Sequence, residues 1–175
     1  MKTKLFWFAV VLTAIWAMKR YYSDAGADDL WWILSPTAHL AGGITRVSFL
    51  MEPGAGYLSR ERLFLIEKSC AGVNFMIAAF AMLTFVLRRR IRSLTSGAIV
   101  VAGSLLAAYA AAVLVNATRI VMAMWLMVHP LAFSGLTPAQ IHRLEGICVY
   151  FAGLVLMYEL VSRVEHRAMP LRSRT

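Results

Sequence analysis

Residues 69–92 read SCAGVNFMIAAFAMLTFVLRRRIR. From Ser69 to Leu87 there is no charged residue, and then Arg88, Arg89, Arg90 and Arg92 follow almost without interruption. A helix needs about 20 apolar residues to cross a hydrocarbon core about 30 Å thick. Ser69–Leu87 has that length, and the arginines behind it are the kind of basic flank that ends a span on the cytoplasmic side. This stretch decides the class: an all-α membrane helix bundle.

Working outward, the rest of the chain agrees. It has 175 residues, 60% of them hydrophobic, and a mean hydropathy of +0.67, where a soluble domain is usually about half apolar. Residues 1–175 read as one integral membrane domain. The formal charge is +9, but the basic residues sit in short clusters beside apolar runs, as membrane flanks do. The lipid bilayer is therefore an expected partner and nucleic acid is not. Two cysteines, Cys70 and Cys148, imply no disulfide framework. The histidines are scattered, so no metal or other cofactor is expected.

Upstream, Lys2 and Lys4 precede the apolar run Leu5–Met18, which ends at Lys19-Arg20-Tyr21-Tyr22. Ala25-Gly26-Ala27 resembles a signal-peptide cleavage site. However, the intervening basic pair and the interfacial tyrosines favour an uncleaved first transmembrane helix. Leu30–Met51 is apolar but interrupted by Pro36, Gly42-Gly43 and Arg46. It is expected to form two short helices, interfacial or re-entrant, on the outer side. Glu52–Gly56 reads as a turn-rich loop, and Leu58–Lys68 as a short charged helix leading to Cys70. Downstream, Leu94–Val128 is a long apolar run whose small residues suit close helix packing in lipid. His129 to Gln140 reads as a loop, and Leu144–Leu160 as the last span. The count is about four transmembrane helices plus the extra outer segment.

Charge sets the orientation. Lys2, Lys4, Arg88, Arg89, Arg90, Arg92, Arg163, Arg167, Arg172 and Arg174 all fall on one side of a four-span bundle. Most acidic residues fall on or beside the other. By the positive-inside rule both termini and the Arg88–Arg92 turn are cytoplasmic. The expected location is the cytoplasmic (inner) membrane of a prokaryote.

In this arrangement Cys70 opens the second span at the outer face, Asn116 and Arg119 close the third, and His142 precedes the fourth. A cysteine thiolate attacks an amide carbonyl. A histidine exchanges protons with the thiol and the leaving amine. An arginine stabilises an oxyanion or a thiolate with fixed charge. Asn116, three residues before Arg119 on the same helical face, is a supporting residue that orients the arginine or donates to the oxyanion.

Cys70-Ala71-Gly72, Asn116-x-x-Arg119-Ile120 and His142-x-x-x-Gly146, in this order and each at the outer end of a span, resemble the exosortase/archaeosortase family. In length the chain is similar to the small exosortase K type. The family often has Ser after the cysteine, where this chain has Ala71, and its typical members have more spans. The resemblance implies a membrane-embedded cysteine transpeptidase or protease with Cys70, Arg119 and His142 as catalytic residues. Its substrates would be exported proteins ending in a sorting signal: a short motif, a transmembrane helix and a basic tail. The rival reading is a non-enzymatic transport or assembly subunit whose Arg119 binds an anion. Cys148, inside the last apolar run, reads as a small hydrophobe, and His39, His129 and His166 as residues without a chemical role.

Overall fold

The computed structural model describes residues 2–129 and 137–168. It is mostly helical: α1 (Lys2–Asp24), α2 (Trp31–Thr45), α3 (Val73–Leu87), α4 (Leu94–Val128) and α5 (Pro138–Ala168). Among the described residues three helical segments are long and apolar enough to cross a membrane, Lys68–Arg90, Leu94–Val128 and Gln140–Arg167. The first helix, expected as a fourth span, is continuous over 23 residues but is not among them.

The apolar pattern explains the layout. Helix α3 buries a stripe at helical spacing, Val73, Met76, Phe80 and Leu83 among it. Its span is 56% buried, against 22% for α4 and 11% for α5, so α3 is the centre and the other two turn most of their apolar surface outward. α4 starts at a capping box, Ser93 accepting from the Ser96 amide while the Ser96 side chain accepts from the Ser93 amide. This satisfies N–H groups that a helix start otherwise leaves free. α4 runs unbroken for 35 residues, about 52 Å at 1.5 Å per residue. Its last third therefore extends well past the length needed to cross the hydrocarbon core.

Around that last third the structure departs from the all-α expectation. Leu58–Lys68 is not a helix. Three short strands, β1 (Leu50–Glu52), β2 (Gly56–Ser59) and β3 (Phe64–Ile66), form an antiparallel sheet in the order β1-β2-β3. The pairs Glu52↔Gly56 and Ser59↔Phe64 close its two turns. The reason is local: Pro53-Gly54-Ala55-Gly56 supplies a tight turn, with Gly54 and Gly56 at positive φ, where Gly meets no steric cost. Leu30–Met51 likewise forms one helix rather than two. Pro36 lies within α2 without ending it, and the helix stops at Arg46 in a left-handed cap. At 15 residues α2 is about 22 Å long, too short to cross. It packs along α4, and Tyr109 donates from α4 to the Trp32 carbonyl at 2.8 Å. Pro138–Gln140, expected as loop, already belongs to α5; residues 130–136 of that expected loop lie outside the described residues.

The bundle has two distinct ends. At one, Lys4 of α1 shares a groove with Arg88 and Arg89, and Arg90 pairs with Glu165 of α5. At the other, Lys19 donates to the Asn74 side chain at 2.8 Å, and the Tyr22 hydroxyl to the Lys68 carbonyl at 3.2 Å. Thus α1 runs the length of α3 and ties down the turn that carries Cys70.

Candidate active site

Cys70 closes the one-turn helix Lys68–Cys70. Gly72, two residues on, stands at φ +70 as the cap of α3. A side chain there would be strained, and a Cβ would also lie 3.2 Å from the Asn116 side chain. The missing side chain lets Asn116 reach under the turn. Fully buried, its amide nitrogen donates to the Cys70 carbonyl.

From Asn116 a chain of polar contacts runs across α4 and α5. Tyr150 donates its hydroxyl to Asn116 Oδ1 at 2.8 Å. Arg119 Nη1 donates to the same hydroxyl at 3.4 Å, and its guanidinium lies 5.4 Å from the Tyr150 ring centre. Arg119 Nη2 lies 3.4 Å from His142 Nε2. A guanidinium has donors only, so Nε2 must be the acceptor and the proton of the neutral ring sits on Nδ1. That nitrogen faces Glu145 Oε2 at 3.6 Å. Neither Glu145 oxygen has a hydrogen-bond partner among the described residues, and the residue is buried. The carboxylate is near enough to favour a charged ring but too far to bond a neutral one.

Gly146 explains how Arg119 fits. A Cβ at that position would stand 2.7 Å from Arg119 Nε, so a glycine at this turn of α5 leaves the guanidinium its place. The His142-x-x-x-Gly146 spacing is one helical turn, and Tyr150 is the next turn on the same face.

All four residues singled out in the sequence lie at this end of the bundle, but not all touch. Asn116 meets the main chain of Cys70, and Arg119 meets His142. The Cys70 sulfur itself has one polar neighbour among the described residues, Ser69 Oγ at 3.8 Å, whose hydroxyl donates to Glu67 at 2.6 Å. Cys70 and His142 instead both line one cavity of about 650 Å³, with Leu65, Glu67, Met127 and Ile141 among the other residues around it. Cys148 is exposed on α5. Tyr150 and Glu145 were not singled out in the sequence, although the spacing of four residues from His142 to Gly146 to Tyr150 carries a signal for Tyr150. Comparison of the chain with protein-family models, with curated proteins and with solved structures finds no match.

The arrangement offers a thiol and an imidazole on the lining of one largely apolar cleft, with a half-buried guanidinium 3.4 Å from the imidazole. Asn116 is satisfied by Cys70 and Tyr150, whereas Arg119 Nε and both Glu145 oxygens are buried without a hydrogen-bond partner among the described residues.

Proposed function

We propose that this chain is a membrane-embedded cysteine transpeptidase or protease of the exosortase type. It acts on exported proteins that end in a short motif, a transmembrane helix and a basic tail. The observation that carries the reading is the unbroken run of contacts from the Cys70 carbonyl through Asn116, Tyr150 and Arg119 to His142, beside a cavity that Cys70 and His142 share.

The chemistry follows from these groups. For the thiolate to form, the Arg119–His142 contact opens and Nε2 of His142 takes the Cys70 proton. The sulfur attacks the amide carbon; a C–S bond forms and the carbonyl π pair moves to oxygen. Arg119, released from that contact, stabilises the oxyanion with its positive charge. The oxygen pair returns, the C–N bond breaks, and His142 gives its proton to the leaving amine. A thioester remains on Cys70 until an amine acceptor or water displaces the sulfur. Glu145 favours the imidazolium formed midway.

In this reading α1, α3, α4 and α5 all span, α2 and the sheet lie on the outer side, and the basic end is cytoplasmic. Support comes from Lys4, Arg88–Arg90 and the α5 end gathering at one pole of the bundle, as the positive-inside rule requires. Reporter fusions after Arg92 and after Gly135 should report opposite sides of the membrane; the same side for both would refute the four-span arrangement. The chemical test is loss of the C-terminal tail from a co-expressed candidate substrate, read by size on a gel. Wild type should process it and Cys70→Ala should not, at equal levels of inserted protein. Processing by the alanine variant would leave the non-enzymatic subunit as the better account.

A further inference from the structure

The small sheet has two outer edges. That of β1 lies away from the thiol. That of β3 forms a wall of the cavity: Phe64, Leu65, Glu67 and Cys70 line it in chain order. In an antiparallel ladder successive residues bond to opposite sides. The side of β3 away from β2 therefore carries backbone N–H and C=O groups, and among the described residues these have no backbone partner. Leu65, at the middle of β3, is exposed, so this edge stands open to a chain that can bond it. The facing wall is apolar, with Ala123, Leu126 and Ile141.

We infer that the cavity binds an extended peptide as a fourth strand on the free edge of β3. The choice of occupant follows from the wall. A lipid acyl chain suits the apolar face but has nothing to offer the strand edge. A helix has already spent its own backbone groups. An extended chain supplies one N–H and one C=O per residue at the strand repeat of about 3.3 Å, and alternate side chains turn toward the α4–α5 wall. Strand addition of this kind takes affinity from the main chain and selectivity from every second side chain. About 650 Å³ lies within the range of about 300–1,000 Å³ usual for ligand clefts. Because β3 leads directly through Glu67 into the Lys68–Cys70 turn, a peptide in register along it passes the sulfur. The strand site deepens the acyl-transfer reading by naming how the substrate motif is held: extended, with apolar residues at alternate positions.

The test separates binding from chemistry. Full-length Cys70→Ala protein in nanodiscs is incubated with a pool of acetylated hexapeptides that alternate apolar and polar residues in both registers. Retained peptides are identified by mass and remade with N-methyl groups on alternate amides. N-methylation in one register should weaken binding about tenfold or more, and in the other about twofold or less, because only one set of amides faces the strand. No retention above empty nanodiscs, or equal effects in both registers, overturns the strand site. Wild-type protein then receives the retained peptide with a vinyl sulfone at the scissile position. The Cys70 sulfur bonds to the β-carbon and the thiol proton ends on the α-carbon. Register-dependent binding without labelling of Cys70 would overturn the acyl-transfer reading and leave the strand site standing. Labelling with register-independent binding would overturn the strand site alone.

Discussion

The two ends of α3 treat their polar groups in opposite ways. At the Arg88–Arg90 end the guanidinium groups are exposed and serve themselves: Arg88 donates to the Phe85 carbonyl of its own helix at 2.8 Å and lies 4.0 Å over the Phe85 ring. Among the described residues Arg90 is the one of the three that forms an ion pair with another helix, at Glu165. At the Cys70 end Asn116 is fully buried, Glu145 is buried and Arg119 is half-buried, and the partners of Asn116 and Arg119 come from other elements. The first end needs only charge and water. The second needs particular atoms in particular places, and it obtains them by leaving out side chains at Gly72 and Gly146. Net positive charge can be redistributed among neighbours; a bonded cluster cannot.

Substitutions should make that difference measurable. The largest effect is expected at Cys70: both Ala and Ser should reduce tail removal to background, since an alcohol ionises far less readily than a thiol of pKa about 8.5. Replacing Arg88, Arg89 and Arg90 together by Ala should instead change how much protein inserts in the right orientation, with processing per correctly inserted molecule unchanged. A loss of turnover there equal to that of Cys70→Ser would erase the distinction between the ends. Next comes Arg119→Lys. An ammonium cannot hold Tyr150 and His142 at once, and processing should fall about 10²–10³-fold, the usual cost of an oxyanion donor. His142→Ala should cost about 10²-fold or more. Tyr150→Phe keeps the ring but removes the hydroxyl between Asn116 and Arg119, and about a tenfold loss is expected, the worth of one or two hydrogen bonds. At the small end, Gly146→Ala should impair processing while Gly103→Ala, which meets nothing within 4 Å, should not. Cys148→Ala should stay within about twofold of wild type.

How much of this could be read from the chain differs along it. The spans of α3, α4 and α5 follow from uninterrupted apolar length, which survives whatever the partners are. So did the grouping of Cys70, Asn116, Arg119 and His142, because helices of bilayer length return the chain to the same face. The sheet was hidden. Its strands are three or four residues long, too short for alternation to show, and the charges of Arg60, Glu61 and Arg62 between them mimic an exposed helix. Glu145 and Tyr150 went unassigned because an acid and a tyrosine in an apolar helix gain meaning only once Arg119 is known to lie against Gly146.

The contacts that link Asn116, Arg119, Tyr150 and His142 also set an order of events during synthesis. The ribosome delivers Cys70 first, Asn116 and Arg119 on the next long helix, and His142 and Tyr150 on the last. Until α5 has been made and packed, Arg119 has neither the hydroxyl nor the imidazole that it contacts. On the proposed reading, a nascent chain therefore carries an unarmed thiol, and the site would come into being only with its final helix.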